Sequence, residues 1–386
     1  GRGDLGELAR APGASRWRSH SRRGAWDSTA RKKTLKIYST FGAVEVQERI
    51  WRRPGRSYLR PFSEQTGLQQ KGLSELLQRR LCDFGWNRSF VKAAGQLREH
   101  YGFDLSPERI RQASQDHARR IDAMALSEGP STVLRGEGAA AIIAEADVSM
   151  IRLVENGTDA KGRRTRKVDW HECRLCAALE HGGTQPQYAA SFGPVDTLGR
   201  LWSQCARRSN WGAQTLIQVL GDGAQWIDRQ SILCFGKERW LLIDFYHVCE
   251  YLAAASSACA IKESPERWTG RQSTLLKKGK TAKVIANLQK CIEPEDTLEQ
   301  EAPVRAAWRY LKNRIDSFDY PRAIAADMPI GTGLIESANG HVIQDRLKGR
   351  GMAWLPENAQ AFAQARALTA SGRWNEYWQK SKKMAA

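Results

Sequence analysis

The chain has 386 residues, 60 Lys and Arg against 42 Asp and Glu, a formal charge of +18 and a hydrophobic fraction of 41%. That length exceeds one small core and predicts two or three domains. The charge points to a polyanionic partner, with nucleic acid ahead of an acidic membrane surface. No apolar run approaches the roughly 20 residues that cross a bilayer. No signal peptide is recognisable in a sequence that opens on Gly1 rather than Met. A cytoplasmic protein with no membrane partner is expected.

Residues 1–33 are rich in Gly, Ser and Arg and read as a basic flexible arm. Residues 34–62 follow with β-branched and aromatic residues around Phe41-Gly42, the pattern of a β-hairpin. Its flanking arginines suit either phosphate contact or plain solvation. Residues 67–126 are helical. One helix stops at Tyr101-Gly102, and a second is capped by Ser106 with Pro107 at its first position. The second helix puts Ile110, Ala113, His117 and Ile121 on one face. Two helices around a short glycine turn form a helix-turn-helix candidate. Its second helix would read DNA, and Arg109, Arg111 and Arg119 are the candidate contacts.

Ser127 to Gly138 is a loop and a domain boundary. Beyond it the pattern is α/β. Three strands come first, the first carrying Asp147. A helix, a buried strand ending at Asp222, another helix and an apolar strand ending near Asp244 and His247 follow. That order resembles a ribonuclease H-like domain: a mixed sheet flanked by helices, over residues 139–247 and 329–354. A lysine-rich, all-helical insertion over 248–328 interrupts it, and a C-terminal segment, 355–386, opens with an amphipathic helix. The eight cysteines are spread through apolar segments, as expected of reduced thiols. Cys173 and Cys176 form a C-x-x-C with no second ligand pair, on a strand that turns the two sulfurs to opposite faces, which disfavours zinc.

Asp147 and Asp222 sit at or near the ends of apolar strands, and such ends face a common crevice in an open α/β sheet. Neighbouring carboxylates repel unless cations neutralise them. Hard oxygen donors then suit Mg²⁺ or Mn²⁺. Two such ions can clamp the attacking and leaving oxygens of a phosphoryl displacement. Glu336, at the start of a basic helix, would be the third carboxylate. Glu145 lies on the same strand face as Asp147 and competes with it. His247 either supports the site or is a satisfied helix-start residue.

The blocks VLGDGAQWI, LIDFYHVCEYL and GTGLIESANGHVIQDRLKGRGMAW resemble the signatures of bacterial insertion-sequence transposases of the Kra type. These belong to the wider DDE transposase group, which includes the Mutator-like enzymes. The resemblance runs from about Leu35 to the C-terminus, and the last block is its most specific part. It implies a catalytic and metal-binding triad of Asp147, Asp222 and Glu336, with Asp244 and His247 matching an Asp-x-x-His element. It also implies metal-dependent cleavage at the ends of a mobile element. The freed 3′-hydroxyl would then attack target DNA. The partner would be double-stranded DNA, bound by a homo-oligomer because two ends must be joined, in a prokaryotic nucleoid. The first acid departs from the pattern, since Val148 follows it where Gly is common. A catalytically inactive DNA-binding descendant and a nuclease of the same fold are the alternatives.

Along the last block, Glu336, Ile343 and Leu347 share one helical face, and the apolar pair would seat the helix on the sheet. His341, Gln344 and Lys348 form another face toward DNA, which Arg346 and Arg350 extend. Trp354 would either stack on a distorted base or anchor the core.

Overall fold

The computed structural model describes residues 31–51, 59–60, 62–63, 72–129, 136–158 and 161–385. The expected basic arm lies almost wholly outside them. The described residues divide into two compact units. The smaller takes those up to Gly85, Phe90–Ala113 and those from Trp378, and the larger takes Trp86–Ser89 and Ser114–Tyr377.

The smaller unit opens with the expected hairpin. Strands β1 (Arg31–Ser39) and β2 (Gly42–Ile50) pair antiparallel, and Gly42 takes a positive φ of 103° to close the turn. Helices α1 (Glu75–Asn87), α2 (Phe90–Tyr101) and the start of α3 (Pro107–Ser127) follow. Gly102, at φ 71°, stops α2, and the Ser106 hydroxyl accepts from the Arg109 N–H to begin α3. Leu77, Leu81, Leu97 and Ile110 are fully buried and build this unit's core.

The larger unit is mixed α/β, with a five-stranded sheet flanked by helices. Its strands are β3 (Ala141–Thr158), β4 (Arg164–Glu180), β5 (Gln187–Ser191), β6 (Leu216–Gly221) and β7 (Trp240–Ile243). The order is β5-β4-β3-β6-β7. The first three strands are antiparallel, and β6 and β7 run parallel to β3. Strand alternation sorts β3 between two cores. Ile142, Ala144 and Ala146 pack with α4 (Val195–Arg208) and α5 (Gln225–Phe235). Ala141 and Ile143 face the helical segment instead: α6 (Phe245–Cys259), α7 (Pro265–Lys277), α8 (Thr281–Gln289), α9 (Pro303–Lys312) and α10 (Tyr320–Ala325). That segment therefore shares a core with the sheet and begins at Phe245, directly after β7. No helix is long and apolar enough to cross a membrane, among the described residues.

The chain continues through α11 (Gly333–Ala338), a π-helical stretch at Asn339–Gln344 and the short α12 (Asp345–Leu347). It closes with α13 (Pro356–Ala370) and α14 (Trp374–Ala385). The expected amphipathic character of α13 is corrected: Ala361 to Leu368 are all buried. A helix enclosed on every side has no solvent stripe to alternate with. Its polar residues have an internal task, which is to cover the free edge of β5. The N–H groups of Tyr188, Ala190 and Phe192 donate to Ser371 Oγ (2.8 Å), Gln364 Oε1 (2.9 Å) and Gln360 Oε1 (2.8 Å). Alternate backbone donors of an edge strand thus find partners spaced along one helix.

Two stability tests follow from these contacts. Gln364→Leu keeps the volume but leaves the Ala190 N–H without an acceptor, so unfolding in urea should show a loss of about 1–3 kcal/mol. An unchanged midpoint would show that the edge is not held this way. The second concerns His117, 2% exposed, with Nδ1 2.6 Å from the Tyr377 hydroxyl. Burial, with Arg120 adding repulsion, lowers its pKa to about 3. The folded state keeps this imidazole neutral while the unfolded chain protonates near pH 6.5, so stability is fully present above that pH and falls below it. Between pH 7 and pH 5 the wild type should lose about 2 kcal/mol that His117→Gln does not lose.

Candidate active site

The register of the parallel strands builds the site. Glu145 of β3 pairs with Leu220 of β6, an offset of 75 residues, and the same offset carried two residues on sets Asp222 level with Asp147. Gly221 of β6 pairs with Ile243 of β7, which sets Asp244 level with Asp222. Three aspartates therefore stand abreast on neighbouring strands.

Their side chains do different things. Asp222 is exposed, and its Oδ1 accepts from the Ala224 N–H at 2.8 Å, closing the turn into α5. Gly223 follows at φ 86°, and a Cβ there would meet Arg314 Nε at 2.6 Å and the Tyr310 hydroxyl at 3.0 Å. Those two α9-side groups grip the turn. Tyr310 donates to the Asp222 carbonyl at 2.6 Å, and Arg314 donates to the Gly223 carbonyl at 3.0 and 2.8 Å. Beside this turn lies a polar recess of about 310 Å³ lined by Gly223, Asp228, Arg229, Asn313, Arg314 and Ser317.

Asp147 is half-buried. Burial raises its pKa and the Asp222 carboxylate raises it further, while the Val148 N–H, Asn339 and His247 oppose the shift. Asn339 Nδ2 donates to Asp147 Oδ2 at 2.6 Å, and Ser149 donates to Asn339 Oδ1 at 3.0 Å. Glu145, the competing acid, is 1% exposed and accepts from the Ile335 N–H at 2.8 Å. Its pKa is pushed up to about 8 by burial, with Asp244 and Glu336 adding repulsion and the Ile335 N–H acting the other way. Asp244 is buried and caps α6: Oδ1 accepts from the His247 N–H at 2.8 Å, and Oδ2 accepts from the Thr332 N–H at 2.6 Å and from its hydroxyl.

Glu336 is exposed, and its Oε1 lies 3.4 Å from the Thr332 hydroxyl. The helix that carries it is latched along β3 by Glu145, Asp147 and Ser149, the alternate residues of one strand face. Among the described residues no group of three or more His, Cys, Asp and Glu side chains stands at metal-binding spacing. Asp147 and Asp222 form the interacting pair, and two mutually repelling carboxylates suit a hard divalent cation. His247 lies close enough to Asp147 to lower its pKa. Its ring packs edge-on to Tyr251 (5.4 Å) and Tyr310 (5.9 Å).

The expected DNA-facing residues separate. Arg109 stacks over Tyr38 at 4.5 Å, and Arg111 pairs with Glu108 at 2.5 Å. Arg119 donates to Asn358 at 2.9 Å. Around the middle of α3, Ala113, Ser114, Gln115, His117 and Ala118 are buried, while Asp116, Arg119 and Arg120 are exposed. Lys348 and Arg350 are exposed. Two assignments are corrected. Arg346 is 3% exposed, stacked over Trp354 (4.7 Å) and Phe362 (5.4 Å), so burial removes it from any phosphate. Trp354 is 9% exposed, donates to the Leu347 carbonyl at 3.2 Å and anchors the core. Gln344 is exposed, like His341 and Lys348, and its amide also donates to the Ser149 hydroxyl at 3.2 Å.

Sequence reasoning missed Asn339, Thr332, Tyr310 and Arg314. None is an ionisable acid near a strand end, and only the tertiary fold brings them in. Cys173 and Cys176 are both buried on β4, and all eight cysteines are free thiols.

Asp147 within β3 and Asp222 just past β6 stand side by side, with a helix from a distant part of the chain held along β3 next to them, and this is the candidate active site. The chain belongs to the Uncharacterised protein family (UPF0236), whose profile matches residues 28–383. No curated protein matches. Among solved structures, the Drosophila P element transposase strand transfer complex is similar over 78% of this chain and 79% of that chain, at 9% identity and a TM-score of 0.29. That score is too low to define a shared fold.

Removing the Asp147 charge should relieve both its burial and its repulsion from Asp222, as functional sites sacrifice stability. Asp147→Asn is expected to melt higher than the wild type at pH 7. A lower melting temperature would mean that the two acids do not strain the fold.

Proposed function

We propose that this protein is a DDE-type DNA transposase with a ribonuclease H-like catalytic domain, related to the Kra-type insertion-sequence enzymes. The observation that carries the reading is the level placement of Asp147 and Asp222 on adjacent parallel strands, with Glu336 on the helix latched along the same strand face. The strand order supports it: three antiparallel strands, then two parallel ones on the far side of β3.

In this reading Asp147 and Asp222, with Glu336 as the third carboxylate, hold Mg²⁺ or Mn²⁺. Two such ions would supply charge stabilisation to the attacking and leaving oxygens of a phosphodiester. The chain's own contribution is positional. Tyr310 and Arg314 fix the backbone under Asp222. Asn339 aims Asp147, and Thr332 and the Asp244 cap set the start of the Glu336 helix. His247, beside Asp147, is placed to exchange a proton with a water or hydroxyl at the site. The substrate would be double-stranded DNA at the ends of the element that carries the gene, and the freed 3′-hydroxyl would attack target DNA. Joining two ends calls for a homo-oligomer on DNA.

Purified protein should nick or cut a duplex carrying the DNA that flanks its own gene, in Mg²⁺ or Mn²⁺ and not in EDTA. Asp222→Asn should reduce cutting to the level of a protein-free control while binding the same duplex with near wild-type affinity. A wild type that binds but never cuts would favour a catalytically inactive DNA-binding descendant. Cutting by Asp222→Asn would remove the proposed site altogether.

A further inference from the structure

Strands β3 and β4 run far past the sheet that they belong to. β6 pairs only with Ala141–Glu145 of β3, and β5 only with Arg174–Ala178 of β4. The β3–β4 register continues to Thr158 and Arg164, so the outer half of the pair is a two-stranded ribbon, bridged beside Leu153 by Trp354 and joined there by no further strand among the described residues. From Arg164 to Trp170 it extends about 20 Å at about 3.4 Å per residue.

The two faces of this ribbon differ in charge. Cross-strand partners point to the same side, so the register assigns each residue to a face. One face carries Glu155, Lys167, Asp169 and His171. Its charges are matched: Lys167 lies 2.8 Å from Asp169, and Glu155 lies 3.4 Å from His171. The other face carries Arg152, Arg164, Arg166 and Trp170. Its one acid among the described residues of the ribbon, Glu172, is paired with Arg174. Arg152, Arg164 and Arg166 are exposed and make no ion pair among the described residues. Trp170 is 50% exposed, a costly placement for the largest side chain. Arg152 stands over its ring at 6.0 Å and Lys348 at 5.9 Å. Lys348 directly follows α12, so this cationic face is continuous with the end of the Glu336 helix.

We propose that the Arg152–Trp170–Arg164–Arg166 face of the β3–β4 ribbon is a binding surface for duplex DNA. The proposal rests on the DNA reading above and adds a contact surface outside the helical region. Its chemistry is that of backbone recognition: guanidinium groups for phosphate oxygens and an exposed indole for a sugar or base face. A two-stranded β-ribbon is also narrow enough for the major groove, about 12 Å wide. Three exposed arginines without an ion pair on one face, beside matched charges on the other, are what a solvated ribbon has no need of and an anion-binding one does.

The test uses the full chain and a fluorescent mixed-sequence duplex of about 30 base pairs, titrated across a range of salt. The triple variant Arg152→Gln/Arg164→Gln/Arg166→Gln should bind at least about tenfold more weakly near 0.1 M salt, with a log–log salt slope shallower by roughly 2–3 than that of the wild type. Trp170→Ala should weaken binding with the slope unchanged. Lys167→Gln/Asp169→Asn, on the matched face, should bind like the wild type. All substituted positions are exposed, and circular dichroism checks that each variant folds. If the wild type binds the duplex and the triple variant binds it equally well, the ribbon proposal is overturned while the DNA reading stands. If the triple variant instead changes only the self-association of the chain, the face belongs to a second copy and the proposal is likewise overturned. If the wild type itself fails to bind duplex, both readings fall.

Discussion

The latch between one face of β3 and the segment Thr332–Gln344 is the constraint on which the larger unit depends. Glu145, Asp147 and Ser149 recur every second residue along a strand that is otherwise packed into two cores. Each meets a polar group of a segment about 190 residues further on: Glu145 the Ile335 N–H, Asp147 the Asn339 amide, and Ser149 both Asn339 and Gln344. Glu145 and Ser149 are buried and Asp147 half-buried, and such a polar stripe is costly unless every member is satisfied. Strand period and helix rise must therefore stay in step over the whole contact. A one-residue slip of either would turn the polar stripe onto apolar neighbours.

The π-helical turn at Asn339–Gln344 shows how that step is kept. A regular α-helix repeats every 3.6 residues, and widening one turn takes up a residue. The wider turn leaves carbonyls without their usual partners. Arg366 of α13 supplies donors: Nε donates to Val342 O at 2.6 Å, another guanidinium nitrogen donates to His341 O, and a third donates to Trp86 O at 2.7 Å. Burial lowers the pKa of this guanidinium to about 10, with Asp345 opposing, and it stays charged at neutral pH. This buried cation is held by carbonyls and the Asn87 amide oxygen rather than by a carboxylate.

Much of this was legible in the sequence because the signals were local. The hairpin turn at Gly42, the Ser106-Pro107 helix start, the Gly102 stop and the strands ending beside Asp222 and Asp244 each depend on a few adjacent residues, whereas Asp147, expected near a strand end, lies inside β3, which runs on to Thr158 because β4 keeps pairing with it. The 75-residue offset between Asp147 and Asp222 was visible too, but its meaning needed the parallel pairing of β3 with β6. What could not be read was non-local. Arg346 was expected to extend an outward basic surface, and packing against Trp354 and Phe362 buries it instead. For Trp354 a core anchor was the better-supported of two readings, the other being a stack on a base, and the bridge to Leu153 holds it inside. Tyr310 and Arg314 lie in a segment whose composition says only that it is helical and basic. Their grip on the Asp222 turn is a property of packing alone.

The cover over the β5 edge has a consequence for how the chain is made. All five strands precede Phe245 in the sequence, but the glutamines and serine that satisfy β5 arrive with α13, about 165 residues after β5 ends. At ribosomal speeds of roughly 5–20 residues per second that gap lasts on the order of ten seconds or more. Throughout it the nascent sheet shows an open strand edge, the surface on which another strand can template itself. Newly made chains are therefore most vulnerable to mispairing late in synthesis, and a nonsense codon before Pro356 would make that transient exposure permanent.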